Sequence, residues 1–101
     1  MSSLDISVPH NLPKEEAVAR LKKLMATLQE EQKDMIQEVS EEWEGGNGRF
    51  QFKAKGFSIS GNIKVEEDKV SLNSELPFML SFFKDKIEQI IKSKASNLLA
   101  P

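Results

Sequence analysis

Residues 43–76 read WEGGNGRFQFKAKGFSISGNIKVEEDKVSLNSEL, and their reading decides the fold. Apolar residues recur at every second position through most of this stretch, the period of a strand with one covered face. Three turn signals divide it, at Asn47-Gly48, Lys55-Gly56 and Glu67-Asp68. Asn-Gly is the strongest short hairpin signal because both residues tolerate positive φ. A turn there sets Trp43 opposite Phe52 and Glu42 opposite Lys53. A turn at Lys55-Gly56 sets Phe52 opposite Ile59, Ala54 opposite Phe57, and Phe50 opposite Gly61, where the ring can cover the glycine. A turn at Glu67-Asp68 sets Val65 opposite Val70, Ile63 opposite Leu72 and Ile59 opposite Leu76. All three registers send apolar side chains to one face. A slip of one residue would invert a strand, so their agreement predicts a meander of four antiparallel strands beginning near Ile36.

The opposite face of the same meander carries Glu38, Glu42, Glu44, Lys53, Lys55, Asn62, Lys64, Ser71 and Asn73. It places acids of one strand beside bases of the next, so the segregation of acids before residue 45 from bases after it reads as cross-strand pairing. Such exposed pairs contribute about 0.2–1 kcal/mol each.

Upstream, Leu4, Ile6 and Val8 alternate with polar residues and Pro9 closes the run, which predicts a short half-buried strand. Ala17, Leu21, Leu24 and Leu28 then recur at helical spacing behind Pro13, with Glu15 and Glu16 where a helix dipole favours acids. One amphipathic helix over about residues 13–32 is expected. Downstream, Pro77 opens an element in which Leu80, Phe83, Ile87, Ile91, Lys94 and Leu98 keep helical spacing, predicting a long C-terminal helix of about 20 residues. The expected fold is α+β, in the order β-α-β-β-β-β-α, with both helices on the single apolar face of an antiparallel sheet. Residues 1–101 form one expected domain, without internal repeat or linker.

Composition narrows the function classes. The 101 residues include no Cys, which excludes a disulfide framework and a thiolate zinc site. The net charge of -2, from 14 basic and 16 acidic residues, argues against nucleic acid as a partner. Neither a signal peptide nor a run of about 20 apolar residues is visible, so the chain is expected to be cytoplasmic and not transmembrane.

His10 is the lone histidine and has no Cys or acid pair near it in sequence, so no metal site and no nucleophile–base pair is expected around it. A part in turning the chain between strand and helix, or a place at a binding surface, is the simpler expectation. Gly45-Gly46-Asn47-Gly48 joins two strands, whereas a phosphate loop joins a strand to a helix N-terminus. Glu66-Glu67-Asp68 lacks the ordered oxygen spacing of a calcium loop. Glu41 is odder, because the register turns it to the face of Val39 and Trp43, where a carboxyl can have a raised pKa and do acid–base work; a place in water at a fraying sheet edge is the simpler expectation.

Two apolar groups carry the binding readings. Trp43, Phe50, Phe52 and Phe57, with Gly61 and Ser74 beside them, make either a packed core or the wall of an apolar pocket. Phe78, Met79, Leu80, Phe82 and Phe83 are five apolar residues in six, more than one helical stripe can hide. Some of them must face the first helix, a second subunit in a homodimer, or an apolar surface such as lipid or polymer.

The scattered residues Pro9-His10-x-Leu12 with Glu15, Glu16 and Ala17, then Trp43, Phe50-x-Phe52, Gly56, Gly61, Leu76, Phe83-Lys84 and Ile87-Glu88, give the chain a resemblance to the polyhydroxyalkanoic acid system (granule-region) family. The resemblance spans nearly the whole chain. It implies a small bacterial protein associated with polyester storage granules, and no catalytic residues are carried over. His10 and Trp43 match recurring positions without gaining a role. The element order also resembles a shortened helix-grip arrangement, in which a sheet wraps a long C-terminal helix.

The expected function is therefore a non-enzymatic binding protein, without cofactor, that meets a hydrophobic surface or granule coat protein through Phe78, Met79 and Phe82. A carrier of a small apolar ligand, with a pocket walled by Trp43, Phe50, Phe57 and Gly61 between sheet and last helix, is the alternative. A small enzyme requires Glu41 and His10 to meet in one cleft.

Overall fold

Alternation of apolar and polar residues builds five strands, and a computed structural model describes the chain over residues 2–54 and 56–100. The strands are β1 (Ser2–Pro9), β2 (Ile36–Glu44), β3 (Asn47–Ala54), β4 (Phe57–Val65) and β5 (Lys69–Leu76). They form one antiparallel sheet in the order β1-β5-β4-β3-β2, so the meander is intact and the first strand returns to pair with the last. The helices are α1 (Lys14–Leu21), α2 (Leu24–Glu31) and α3 (Lys84–Leu98), preceded by a 3-10 helix, Phe78–Phe83. The α-helices cover one face of the sheet, with α3 against β1 and α2 against β2. This is the α+β arrangement that the element order predicts, an antiparallel sheet with one face covered by helices.

Two of the three expected registers are observed. Phe50 lies opposite Gly61, Phe52 opposite Ile59 and Ala54 opposite Phe57. Val65 lies opposite Val70 and Ile63 opposite Leu72. Of the expected Lys55-Gly56 turn, Gly56 has a φ of 85°, whereas Lys55 lies outside the described residues.

The β2–β3 hairpin turns at Gly45-Gly46 and not at Asn47-Gly48. Glu44 pairs with Asn47, Trp43 faces Gly48, and Glu42 faces Arg49. Gly45 has a φ of 60°, the conformation a two-residue turn with glycine in its first position requires. The reason lies one strand away. β4 runs far enough to need partners for Lys64 and Ile63, and only a β3 that begins at Asn47 supplies them. From Ser40 to Glu44 the register differs from the expected one by an even number of residues, so those faces are preserved although every partner changes.

A bulge between Gln37 and Ser40 reverses the alternation in β2, and Glu38 takes a φ of 51° there. Ile36 is thereby buried opposite Ala54, while Glu41 and Trp43 still point inward farther along. Lys53 forms its ion pair with Glu38, at 2.9 Å, instead of facing Glu42.

The expected first helix is two helices. Ala17, Leu21, Leu24 and Leu28 are all buried, but the chain breaks at Lys22 and Lys23, where the Lys23 N–H donates to the Arg20 carbonyl in a tightened turn. The last element also has a different start, since six residues of 3-10 helix precede α3. The change of pitch rotates the buried stripe, which runs through Leu80, Ile87, Ile91, Ala95 and Leu99. Lys94 instead pairs with Glu31 of α2, and Arg20 of α1 donates to the Leu98 carbonyl at 3.2 Å, placing a cation at the C-terminus of α3.

The buried side chains form one continuous cluster between sheet and helices. Phe52, Leu4, Leu21, Leu24 and Met25 are among its fully buried members. Burying a side chain of this size contributes about 1.5–3 kcal/mol.

Candidate functional site

The 3-10 helix explains how five apolar residues in six can be arranged. At three residues per turn, side chains three apart stack in line. Leu80 is 1 % exposed, and Phe83, in line with it, is 37 % exposed. Met79 and Phe82 form a second line and are 64 % and 88 % exposed, with Phe78 beside them at 72 %. Pro77, with its φ of -56°, starts the turn directly after β5. Phe57 opens β4 at the end of the sheet where β5 finishes and is also partly exposed. The large exposed apolar side chains among the described residues thus come from two segments, the start of β4 and the 3-10 helix.

The four aromatics of the meander separate. Phe50 and Phe52 are buried and stacked, with ring centroids 5.9 Å apart. Phe50 covers Gly61, where a Cβ would lie 2.5 Å from the ring. Trp43 instead lies over Gly48, whose own Cβ would come within 2.9 Å of the indole. Phe57 sits at the opposite end of β3 from that contact, opposite Ala54. Phe50 and Gly61 are therefore brought together, and Trp43 and Phe57 are not. Behind Phe50 the interior is filled by buried side chains such as Phe52, Ile59 and Leu76.

His10 is buried, and its imidazole is occupied by backbone. Nε2 donates to the Glu66 carbonyl at 2.8 Å, and Nδ1 accepts from the Leu12 N–H at 3.1 Å. The His10 N–H donates to the Asp68 carbonyl at 3.0 Å. The residue joins the end of β1 to the β4–β5 turn and fixes the chain's entry into α1.

Glu41 lies in the other edge strand, so the structure does not bring it to His10. Its carboxylate accepts from the Trp43 indole N–H at 3.2 Å and lies near the Met25 backbone N–H in the first turn of α2. Burial raises its pKa above the ordinary value of 4.5, and the two donors oppose that rise. The break between α1 and α2 exposes unsatisfied N–H groups, and an inward carboxylate is suited to meet them.

In sequence the outer face of the sheet reads as an exposed surface of cross-strand charge pairs. It contains adjoining depressions that share Ser60 and Asn62, one lined also by Ser40, Glu42 and Arg49 and another by Asp5, Asn73 and Glu75. Serines in central strands were the available signal, since short side chains there lower the surface.

A model of the family described as "Putative polyhydroxyalkanoic acid system protein" matches residues 4–99. The chain belongs to this family. No curated protein matches the sequence. Among solved structures, the crystal structure of Ara h 8.0201 superposes with a TM-score of 0.47 at 13% identity, covering 99% of this chain and 99% of that one. Within the family's span fall the 3-10 helix, the stacked phenylalanines, His10 and Glu41. Among the described residues, no helix is long and apolar enough to cross a membrane.

Proposed function

We propose that this family member is a non-enzymatic module that docks on the surface of polyhydroxyalkanoate storage granules through Phe78, Met79 and Phe82. The observation that carries the reading is the exposed line of Met79 and Phe82 on a 3-10 helix whose other line, beginning at Leu80, is anchored in the core. Transfer of such side chains from water to an apolar surface is favourable by about 25 cal/mol per Å² of area covered. The rigid anchor at Leu80 also means that little ordering cost accompanies docking. Lys84 and Lys86 follow at the wet boundary, where long cationic side chains can lie along the surface with their ammonium groups in water. His10 and Glu41 have structural partners, which supports a binding role over an enzymatic one.

Co-sedimentation with isolated granules tests the reading. The Phe78→Ser, Met79→Ser, Phe82→Ser variant should stay in the supernatant while keeping the circular dichroism of the parent. Undiminished retention would refute it. Sedimentation equilibrium without granules supplies the second arm, because a dimer dissociated by the same substitutions would assign the patch to a subunit contact instead.

A further inference from the structure

The middle of the sheet's outer face carries residues that strand formation does not favour. Ser60 and Asn62 of β4, Asn73 of β5 and Asp5 of β1 stand where an exposed antiparallel face ordinarily carries Thr, Val or long charged side chains. Asn and Asp are depleted in strands, so this face lowers the stability of the sheet it belongs to. Local choices that oppose the fold mark places where another requirement operates.

The register adds a direction. Arg49 is opposite Asn62, Asn62 is opposite Asn73, and Asn73 is opposite Asp5. These four lie on adjacent strands, so the row crosses the sheet over about 14 Å, three inter-strand spacings. Glu75 lies beside Asp5 in the depression at the far end of the row. The three depressions, which share Asn62 in their walls, have volumes of about 380, 470 and 430 Å³. Asn62, Asn73 and Arg49 make no side-chain hydrogen bond or ion pair among the described residues, although Glu42 is the cross-strand neighbour of Arg49. The trough therefore presents Arg49 beside the Glu42 carboxylate at one end, free amide groups along its middle, and the Asp5 and Glu75 carboxylates at the other end.

We infer that the outer-face trough binds a short ester-linked hydroxy-acid oligomer, lying across the strands with its carboxylate at Arg49 and its terminal hydroxyl at Asp5 and Glu75. Such a chain has acceptors alone along its length, matched by the Asn62 and Asn73 amide groups and the Ser60 hydroxyl. Its single carboxylate suits a guanidinium, which can grip it with two hydrogen bonds, and its hydroxyl is the donor that a carboxylate accepts. The inference rests on the granule reading only for the hydroxy-acid class of ligand. The site is separate from Phe78, Met79 and Phe82, so the two can fail independently.

Titrating the isotope-labelled full chain with a hydroxybutyrate trimer, and with cellotriose in parallel, tests the site by amide chemical shifts. Saturable shifts at Ser60, Asn62 and Asn73 with the trimer are expected, and none with cellotriose. The Ser60→Thr, Asn62→Thr, Asn73→Thr variant should bind about tenfold more weakly or worse, while its melting temperature is unchanged or raised. Arg49→Gln should weaken binding of the trimer but not of its methyl ester. The Phe78→Ser, Met79→Ser, Phe82→Ser variant should bind the trimer like the parent. Absence of shifts, shifts confined to residues 78–83, equal response to cellotriose, or unchanged binding by the threonine variant would each overturn the assignment.

Discussion

Glu41 points its carboxylate into the apolar face of the sheet, and the first turn of α2 gives that orientation its reason. In the sequence the residue breaks the alternation that Val39 and Trp43 set up, which is legible; what it meets there is not, because Met25 comes from a helix break no residue announces. Burial is the larger influence and raises its pKa from 4.5. For an acid, a raised folded-state pKa means that the folded protein holds its proton more tightly than the unfolded chain does. The associated stability is fully present below the ordinary value and is lost as pH rises through the folded value. Glu41→Gln keeps an acceptor for the Trp43 indole without the buried charge. Thermal melts of parent and variant should therefore agree best below pH 4.5, with the parent falling behind as pH rises toward neutrality. A difference that is constant with pH, or that grows on acidification, would contradict this account. His10 acts through geometry, its two ring nitrogens engaging backbone groups at 2.8 and 3.1 Å.

Among the elements, the central hairpin between β3 and β4 was legible because its turn, its alternation and its covering aromatic agree. Phe50 over Gly61 is a close approach in both directions, for a Cβ at residue 61 would lie 2.3 Å from the Asn73 carbonyl oxygen and 2.5 Å from Phe50 Cζ. The first of these is backbone of the neighbouring strand and cannot be relieved by a rotamer change. Gly61→Ala should lower the urea unfolding free energy by about 1–3 kcal/mol, the usual cost of overpacking; an unchanged midpoint would show that the strands can separate freely there. For the β2–β3 hairpin the sequence points to the wrong turn, because Gly45-Gly46 and Asn47-Gly48 are both competent and local chemistry cannot choose between them. The choice belongs to β4, which needs β3 to begin at Asn47. The bulge at Glu38 had a faint trace in the sequence, since Ile36 and Trp43 have opposite parity yet both point inward. The 3-10 start of the last element left none, as Pro77 permits either pitch.

At the scale of the whole molecule, the apolar stripes of α1, α2 and α3 and the inner faces of the five strands meet in one cluster. Contacts that cross the chain's full length, such as Arg20 with the Leu98 carbonyl and Glu31 with Lys94, tie the first helices to the last. Unfolding should therefore be a single transition, with far-ultraviolet circular dichroism and Trp43 fluorescence giving the same urea midpoint. Trp43 reports on β2 at one sheet edge, whereas dichroism averages over all helices, so separated midpoints would mean that an edge of the sheet unfolds on its own. The candidate docking residues sit outside this cooperative core: Phe78, Met79 and Phe82 contribute exposure, and the element that carries them is held by Leu80.

Period, turn chemistry and composition by themselves determined the element order, the shared apolar face of the meander and the surplus of apolar residues from Phe78 to Phe83. Each of these is a property of neighbours in sequence, and a slip of one residue would have destroyed it. The return of β1 to β5, the choice of Gly45-Gly46 as the turn, the division of α1 from α2 and the separation of Trp43 from Phe57 were decided by tertiary structure. They depend on which backbone groups in distant strands and helices still lack partners once the local elements have formed, and that balance exists only in the assembled fold.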